Sequence, residues 1–568
     1  MKVITGIPLV LLTIVSGFSQ SFEWAIGTET QLQDKTVKIV SYKDVVYVVK
    51  NFKDKLNISD EVIISGYGNT DIAITQMNDA GKVLWAAKAG GIERDEVSDI
   101  ILDNNGDLII TGNFTGSARF GDYLLHSAGR EDIFIARYNQ KGKCLWAKSL
   151  GGEGSEKGMA LTILNNGTIT IAGKYNSTFR VERHQLIAGP TSNIFLIWLD
   201  RSGIPFNVLT GLCQDENTLP TGLNSDKSGN LYLYGNLQDN LTLQDKVAFA
   251  DSSLAFMKLP GSFLARIYKE GNVVWLQNIA AANMDSYLFS GSSPAIDEDG
   301  NIYITGAISG GAYFGKKKVS GTGLGNQEVF IAKCNPAGIF EWIIINNTPE
   351  YSYVKNFGKS IIYDKKSFLY SSGYFNGELI LGSHAVKGSG GLFDTDLYIA
   401  KLNKKGQVEW IKTAGTPEDK IFNFDDAATS IAPYADNELY VAGTFKGNAR
   451  FDENSLQSDQ KKSAFIAKVG SGSGVKNTRD GYIEETDHPA IYPNPASDQL
   501  VIRIGINQDS PIINIITITG ETAYDSQKTR YRSNNREITI DITNLKPGIY
   551  EVKLIYPEKS ELFRLVKI

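Results

Sequence analysis

Tryptophan recurs at nearly regular intervals along most of this 568-residue chain. The regularly placed indoles are Trp24, Trp85, Trp146, Trp275, Trp342 and Trp410. The interval from Trp146 to Trp275 is about twice as long as the others, and it holds two periods around Phe206–Asn207, where the tryptophan is replaced. A period of this length predicts that one supersecondary unit is repeated and that its copies stack on one another.

Each period carries the same two strand patterns, and both occur seven times. One pattern is IITGNF at 109–114, which predicts a strand that stops at a glycine turn, and the other is DIFIARYN at 132–139. After six of the second strands, Asn, Asp or Tyr precedes a glycine by three residues, as Asn139 precedes Gly142. This spacing predicts tight hairpins with positive φ at the glycine. Each unit is therefore expected to be a sheet of four short antiparallel strands.

The two ends of the repeat complement each other. The seventh unit stops at Val469–Gly470 without a tryptophan strand, whereas Phe22–Ile26 supplies one at the start. Sheets of this size stack radially as the blades of a propeller, and pairing the first strand with the last sheet removes two exposed edges. The sequence therefore predicts an all-β fold, with a seven-bladed β-propeller over residues 20–470 closed by the N-terminal strand. The Trp, Ile and Val pattern is interpreted as core packing.

The stretches Gly300–Gly306 (GNIYITG), Gly229–Tyr232 (GNLY) and Asp132–Arg137 (DIFIAR) are similar to the bacterial seven-bladed propeller repeat family. Units of that family run roughly as G-N-x-Y-V-T-G, then D-x-F-V-x-K, then W. The resemblance covers about residues 22–470 and implies the propeller fold. It implies little about function, because such propellers serve many roles.

Residues 1–19 have the pattern of a secretory signal peptide. Lys2 supplies the positive charge, Val3–Val15 is apolar, and Gly17 and Ser19 stand three and one residues before a cut at Gln20. A membrane anchor needs about 20 apolar residues, and this run is shorter. No later segment is long and apolar enough to span a bilayer. The sequence therefore predicts a signal peptide at 1–19, export, and no transmembrane segment.

The pattern changes after residue 470. Residues 471–489 are rich in Gly, Ser and charged residues and are predicted to be a flexible linker. From Ala490 to Ile568 a strand-like alternation returns in about six short runs, which is enough for a small β-sandwich. A second β-domain is therefore expected over residues 490–568.

Short motifs in this second domain occur in a fixed order and end at the chain terminus. They comprise Tyr492, Pro493, Asn494, Pro495, Gly520, Leu545, Pro547, Gly548, Tyr550 and Lys567. Together they resemble the type A, Por-type sorting domain of the type IX secretion system of Bacteroidetes-type bacteria. The resemblance implies passage through the periplasm, recognition by that machinery, and removal of the domain by a surface sortase-like protease. It implies a final location outside the cell or on the outer-membrane surface.

Composition and motifs exclude several function classes. The 57 basic and 63 acidic residues give a net charge of −6, which offers no electrostatic reason to expect nucleic acid as a partner. Three cysteines cannot form a disulfide framework. The sequence contains no Walker A loop, HExxH, CxxC or nucleophile elbow. No catalytic residue is assigned on these grounds, and no cofactor or metal is certain.

An acidic residue recurs 17 positions before one fixed position of the first strand pattern, which is a glycine in six units and Asn51 in the first. The residues at this offset are Asp34, Asp95, Glu156 and Asp426, with Asn356 in one unit. In a closed ring they would point toward one mouth of the channel and form an oxygen-rich site for ligand hydroxyls or a hard cation such as Ca²⁺. The alternative is structural, with each side chain accepting backbone amide hydrogen bonds in its own crossing loop.

The loops on that same face are longer in the last three units than in the first three. The additions carry the aromatic residues Tyr287, Phe289, Tyr351, Tyr353, Phe422 and Phe424. Loops on a rigid scaffold are common recognition sites, and aromatic faces beside polar groups suit sugar rings or a partner's side chains. The alternative is that these rings fold down as lids over the ends of the sheets.

Three functions are compatible with these features. A secreted binding or adhesion protein, whose ligand is a glycan or a protein, explains the scaffold without catalytic residues and is favoured. A polysaccharide-active enzyme, a glycosidase or lyase, would need a paired acid and base, for which the acidic set is the candidate. A structural surface protein needs no ligand. Replacing Asp95 and Asp426 would separate the first two, because an enzyme would lose turnover and keep affinity.

Overall fold

A computed structural model describes most of the chain. The described residues are 20–28, 37–59, 62–189, 191–248, 260–282, 286–321, 325–346, 354–389, 394–417, 426–458, 462–471, 490–492, 498–503, 511–517, 521–525, 532–534, 537–556 and 560–567. The chain divides into two compact units, Met1–Val475 and Lys476–Ile568. Their boundary lies within the segment 471–489 for which a linker is predicted.

All regular elements of the described residues are β-strands. The first unit holds β1 (Gln20–Thr28), β2 (Val37–Tyr42), β3 (Val45–Phe52), β4 (Lys55–Asn57), β5 (Ile63–Ser65), β6 (Asp71–Asn78), β7 (Val83–Gly91), β8 (Asp95–Leu102), β9 (Leu108–Phe114), β10 (Ser117–Phe120), β11 (Tyr123–His126), β12 (Asp132–Tyr138), β13 (Cys144–Leu150), β14 (Glu156–Ile163), β15 (Ile169–Tyr175), β16 (Phe179–Val181), β17 (His184–Leu186), β18 (Asn193–Leu199), β19 (Pro205–Cys213), β20 (Leu219–Ser225), β21 (Leu231–Leu237) and β22 (Leu241–Leu243). It continues with β23 (Lys246–Ala248), β24 (Gly261–Ile267), β25 (Val273–Ala281), β26 (Tyr287–Ser290), β27 (Ala295–Ile296), β28 (Ile302–Ser309), β29 (Gly311–Phe314), β30 (Lys317–Ser320), β31 (Gln327–Cys334), β32 (Phe340–Ile345), β33 (Phe357–Tyr363), β34 (Phe368–Phe375), β35 (Glu378–Leu381), β36 (His384–Lys387), β37 (Asp396–Asn403), β38 (Val408–Ala414), β39 (Ala427–Ala435), β40 (Glu438–Phe445), β41 (Asn448–Phe451), β42 (Asn454–Gln457) and β43 (Ser463–Ser471).

The main strands of the first unit form seven antiparallel sheets, numbered here in chain order. They are sheet 1 (β2-β3-β6-β7), sheet 2 (β8-β9-β12-β13), sheet 3 (β14-β15-β18-β19), sheet 4 (β20-β21-β24-β25), sheet 5 (β26 and β27, then β28-β31-β32), sheet 6 (β33-β34-β37-β38) and sheet 7 (β39-β40-β43-β1). The remaining short strands form hairpins, three of which extend the outer edge of the preceding sheet. Repeated sheets of this kind, with each first strand beside the next, make a β-propeller fold.

The two ends of the repeat meet in sheet 7. Strand β1 pairs antiparallel with β43, with Trp24 opposite Lys468. The first strands of sheets 7 and 1 are also joined, because the Ile39 amide donates to Ser430 Oγ at 3.2 Å and the Thr429 hydroxyl donates to the Val37 carbonyl at 3.1 Å. Residues almost 400 positions apart in sequence are therefore neighbours in space.

The tryptophan on the outer strand of one sheet packs on the hairpin of the next. The Trp24 indole donates to the Asp79 carbonyl at 2.9 Å, and Trp85 donates to the Gln140 carbonyl at 2.9 Å. A Cβ added at the hairpin residue Gly142 would lie 2.8 Å from the Trp85 ring. This contact couples the period of the tryptophans to the period of the hairpins.

The predicted hairpin chemistry is confirmed. The Asn139 side chain accepts the amides of Lys141 and Lys143, each at 3.0 Å. All six predicted hairpin glycines have positive φ, from +75° to +101°, as at Gly142 and Gly271. That backbone region is open to glycine at no steric cost.

The second unit contains two four-stranded antiparallel sheets. Its strands are β44 (Ala490–Tyr492), β45 (Gln499–Arg503), β46 (Ile512–Thr517), β47 (Thr522–Asp525), β48 (Arg532–Asn534), β49 (Glu537–Asp541), β50 (Gly548–Ile555) and β51 (Ser560–Lys567). One sheet has the order β44-β45-β49-β48 and the other β47-β46-β50-β51. Leu500 and Ile538 from the first sheet share one buried core with Ile515 and Val552 from the second. Two sheets that share a core in this way form a small β-sandwich.

Among the described residues of both units, no helix has the length and apolar character that crossing a bilayer requires.

Candidate ligand-binding site

The recurring polar residues lie where one sheet meets the next. They stand 17 positions before the glycine of the first strand pattern, a position called offset 17 below. Asp95, Glu156, Asn356 and Asp426 are all fully buried. The backbone amide of each donates to a carbonyl of the preceding sheet, as Asp95 does to Thr70 and Asp426 does to Thr395, both at 2.9 Å. These residues therefore link adjacent sheets.

The side chains at this offset accept hydrogen bonds from backbone amides of nearby loops. Asp95 accepts the Gly91 amide at 2.6 Å and Glu156 accepts the Gly152 amide at 2.8 Å. Asp426 accepts the amides of Thr416 and Lys446 at 2.7 and 2.9 Å.

Uncharged residues at the same offset also accept hydrogen bonds from backbone amides. Asn356 accepts the Asn376 amide at 3.0 Å, and Thr218, the equivalent residue of sheet 4, accepts the Gln238 amide at 3.1 Å. Because Asn and Thr fill the position without a charge, the geometry favours the structural alternative. Within the described part of the chain, no group of three or more His, Cys, Asp or Glu side chains is arranged to hold a metal ion. A ligand role for these residues stays a prediction.

Burial controls the ionisation of these carboxyl groups. Burial raises the pKa of Asp95 to about 7, and the nearby charge of Asp71 raises it further. Burial also raises the pKa of Asp426 to about 7, and the nearby charge of Asp396 contributes to that increase. The pKa of Glu156 is also raised, chiefly by burial. Removing a carboxylate from water disfavours its charged form.

These pKa shifts predict that the free energy of unfolding falls as pH rises. The folded-state pKa near 7 lies above the unfolded value of about 3.9, so the folded state holds the proton more tightly. The stabilisation is fully present below about pH 4 and is lost as pH rises through about 7, and a shift of this size corresponds to about 4 kcal/mol for each buried group. Urea unfolding between pH 4.5 and 7.5 should show a smaller decrease for Asp95→Asn than for the wild type. The exposed Asp122→Asn is the control, and an unchanged pH dependence in Asp95→Asn would contradict the assignment.

The glycines of the first strand pattern lie inside strands, so the prediction of a glycine turn there is wrong. They are Gly112, Gly173, Gly235, Gly306, Gly373 and Gly443, in the second strands of sheets 2 to 7. A Cβ at any of them would lie 1.8–2.3 Å from a backbone carbonyl oxygen of the first strand of the same sheet. Glycine is needed there because the neighbouring backbone approaches too closely for a side chain.

A β-bulge in the first strand causes this close approach. The register slips by one residue in five sheets, at Ser98, Met159, Thr221, Lys359 and Thr429. In sheet 5 the strand is interrupted between β26 and β27 instead. Sheet 1, in which Asn51 replaces the glycine, pairs without a slip. A bulge changes the direction of a side chain, because the extra residue interrupts the regular alternation of side chains between the two faces of the sheet.

Four of the five bulge residues line a cavity of about 310 Å³ at the meeting point of the sheets. Ser98, Thr221, Lys359 and Thr429 contribute from four sheets, and Ser292 contributes from the interruption in sheet 5. All five stand at offset 14, counted back from the glycine of their own sheet, and four of them follow a polar residue at offset 17 by three positions, whereas Ser292 follows Phe289. This offset is the sequence signal that could have located the cavity.

Four lysines also line the cavity: Lys38, Lys355, Lys359 and Lys462. None of the described lining residues is acidic. The Lys38 ammonium lies 3.1 Å from the carboxylate of Asp99, and the two form a half-buried ion pair. Asp99 itself is not one of the lining residues. Hydroxyl groups of serine, threonine and tyrosine supply the rest of the polar lining.

A row of aromatic rings connects the first strand of sheet 5 to this cavity. Tyr287 and Phe289 lie in β26, which pairs with β28, so the prediction that these two rings stand in a loop is wrong. Ring centroids are 5.4 Å apart from Tyr287 to Phe289, 6.5 Å from Phe289 to Phe357, and 5.9 Å from Phe357 to Tyr374. Phe289 is 38% exposed, Phe357 is buried, and Tyr374 lines the cavity. The Lys359 ammonium lies 3.9 Å from the Phe357 ring centroid, within cation–π range. Two of the six predicted loop aromatics therefore lie in one row with a cavity residue.

Several predicted residues lie outside the described residues. They are Asp34, Tyr351, Tyr353, Phe422, Phe424, Pro493, Asn494, Pro495 and Gly520. In the second unit, Tyr492 belongs to β44, and Gly548 in β50 is the register partner of Lys567 in β51. The Tyr550 hydroxyl donates to the Lys546 carbonyl at 2.8 Å, and the Leu545 amide donates to the Ile542 carbonyl at 3.0 Å. Two separated parts of the proposed sorting motif are thus adjacent.

These features define a class: a β-propeller protein with a polar cavity between its sheets and a separate C-terminal β-sandwich. Residues 490–567 match the secretion system C-terminal sorting domain family. The match indicates that this chain is exported by the type IX secretion system to the cell surface or the medium.

The first unit has weaker likenesses. The chain is 24% identical over 226 residues to an uncharacterised WD repeat-containing protein of Acanthamoeba polyphaga mimivirus, which covers 34% of this chain and 16% of the relative. It is 22% identical over 220 residues to the regulatory protein FlaEY of Caulobacter vibrioides. This match covers 38% of this chain and 21% of that relative. Quinohemoprotein alcohol dehydrogenase from Comamonas testosteroni has a TM-score of 0.37 at 8% identity, over 85% of this chain and 79% of that one. The chain therefore spans about a fifth or less of these two curated relatives, and none of the likenesses indicates a ligand or activity.

Proposed function

We propose that this protein is a secreted or surface-attached binding protein built on a closed seven-bladed ring. In this proposal the seven sheets are the blades, and β1 completes the last one. The pairing of β1 with β43 and the hydrogen bonds between β39 and β2 support closure. The sorting domain would be removed at the cell surface by a sortase-like protease. The propeller would remain as the ligand-binding domain.

We infer that the ligand is a glycan, and the row of rings from Phe289 to Tyr374 is the observation that supports this most strongly. Its outer end is exposed and its inner end meets hydroxyl and ammonium groups. Flat aromatic faces stack on the apolar faces of sugar rings, while polar groups hold the hydroxyls. A protein partner would need a wider apolar surface than this narrow row supplies.

An enzyme that cleaves polysaccharide is less well supported. It would need an acid and a base that both reach the substrate. The two carboxyl groups whose pKa values lie near 7, Asp95 and Asp426, are fully buried and hydrogen-bonded to backbone amides. Their raised pKa values follow from burial in the fold and give no sign of catalysis.

A glycan array probed with the purified full chain tests this proposal. The wild type should bind a defined subset of glycans, and Phe289→Ala should weaken that binding about tenfold through loss of one stacking ring. Phe206→Ala is the matched control, since Phe206 is also exposed but lies on the outer strand of sheet 3. Repeating the measurement with a calcium chelator tests the predicted cation dependence.

Binding that is equally strong in wild type and Phe289→Ala would contradict the role of the aromatic row. If the folded wild-type chain binds no glycan at all, the glycan proposal is wrong and a protein ligand or a structural role becomes the better account.

A further inference from the structure

The cavity between the sheets has the opposite charge character to the whole chain. The chain carries a net charge of −6, yet lysine is the only ionisable residue type, apart from one tyrosine, among the described residues of the cavity wall. A chain with more acidic than basic residues places four lysines around one small volume. Lys38 is paired with Asp99, and the other three lysines stand on a described wall that contributes no carboxylate, which favours anions over cations as ligands.

The lysines come from three different sheets. Lys38 belongs to sheet 1, Lys355 and Lys359 to the start of sheet 6, and Lys462 directly precedes β43 of sheet 7. Their convergence therefore depends on the arrangement of the sheets and not on one charged run in the sequence.

The backbone that presents two of these lysines is held in place. The Lys355 amide donates to Asn376 Oδ1 at 2.6 Å, and residue 355 forms a bridge with Gln327 of the preceding sheet. Lys359 is the bulge residue of its strand, and its ammonium lies over the Phe357 ring. The ring contact restricts the Lys359 ammonium, and a restricted ammonium loses less conformational entropy on binding an anion than a mobile one does.

Hydroxyl groups stand beside the lysines in the described wall. Thr221 Oγ1 of sheet 4 lies 2.9 Å from Ser290 Oγ of sheet 5, and Ser98, Ser292 and Thr429 contribute from sheets 2, 5 and 7. Hydroxyl donors beside ammonium groups suit an oxyanion that also carries neutral hydroxyls. The volume of about 310 Å³ is at the small end of the range for ligand cavities.

We propose that this cavity binds the charged group of an acidic saccharide, a carboxylate or a sulfate on a sugar unit, while the aromatic row holds the neighbouring sugar rings. This inference rests on the proposed glycan-binding function and specifies the class of glycan. The lysines supply charge-assisted hydrogen bonds to the anion. Lys359 joins the two parts of the site, because it lines the cavity and contacts the aromatic row.

Calorimetric titration of the full chain with two matched pairs of polymers tests the inference. Polygalacturonate against its methyl ester isolates the carboxylate, and dextran sulfate against dextran isolates the sulfate. The charged member of at least one pair should bind more tightly, and its affinity should fall with added NaCl because salt screens partly exposed charges. The pair that shows the preference identifies the anion.

Lys355→Gln and Lys359→Gln, alone and combined, should reduce affinity for the preferred charged polymer, by about tenfold in the double variant. They should leave binding of the neutral member of the pair within a factor of two of the wild type. Lys316→Gln, at an exposed hairpin of sheet 4, removes the same charge away from the cavity and is the control. Thermal unfolding of each variant verifies the fold.

The outcomes separate this inference from the function on which it rests. Equal affinity for charged and neutral polymers, or unchanged affinity in the double variant, overturns the acidic-saccharide assignment and leaves glycan binding in place. Absence of binding to every polymer and to the glycan array, by a folded chain, overturns both.

Discussion

A chain that ends at Val475 is expected to be made but not to reach the cell surface. In a bacterium with a type IX secretion system, the full chain should appear in the surface or medium fraction, and the shortened chain should accumulate inside the cell. The reason is that residues 490–567 form the sorting domain, whereas the first compact unit ends at residue 475. Immunoblots of the separated cell fractions measure the effect, which should be a loss of more than nine-tenths of the exported protein.

Two controls distinguish failed export from failed folding. The purified shortened chain should unfold at the same temperature as the propeller unit of the full chain, because the second unit has its own core. Residues 476–568 fused to a periplasmic reporter should carry it to the surface. Normal export of the shortened chain would show that the sorting domain is not the export signal of this protein.

Replacing Gly173 with alanine is expected to destabilise the propeller unit severely. The new Cβ would lie 1.9 Å from the Lys157 carbonyl oxygen and 2.5 Å from the Phe195 ring. Backbone and a buried ring both have to move, so we expect a loss of about 3 kcal/mol in the free energy of unfolding, the upper range for overpacking a core. Urea unfolding followed by tryptophan fluorescence measures the change.

Gly27→Ala is the matched control for this variant. Its Cβ would meet only side chains, the Phe445 ring at 3.3 Å and Leu456 at 3.7 Å, in a β-strand with ordinary φ. This contact can be relieved by a shift of a few tenths of an ångström, so Gly27→Ala should change stability by less than about 1 kcal/mol. A Gly173→Ala variant as stable as the wild type would disprove the steric role of the strand glycines.

The period, the strand patterns and the hairpins were predictable from the sequence. Hairpin geometry is local, since an Asn such as Asn139 accepts amides two and four residues away and Gly142 supplies the positive φ. The tryptophan contacts follow the same period, because the indoles of Trp24, Trp85, Trp275 and Trp342 each donate to a hairpin carbonyl of the next unit.

The position of the candidate site was not predictable in the same way. Periodicity selected the residues at offset 17, including Asp95 and Asp426, which prove to be buried between sheets. Five of the residues that line the cavity stand at offset 14, where the bulge turns side chains such as Lys359 and Thr429 toward it. Alternation in a strand assigns each side chain to one face, and a bulge changes that assignment by one residue.

The sequence by itself determined that this chain is a repeat of antiparallel sheets with a separate C-terminal sorting domain. These properties depend on local patterns and on short motifs, which need no knowledge of distant contacts. Only the tertiary structure decided which side chains share a cavity, because Lys38, Lys359 and Lys462 are far apart in the chain and lie on different sheets. Their meeting depends on how the sheets are arranged around one another, and no single stretch of sequence contains that information.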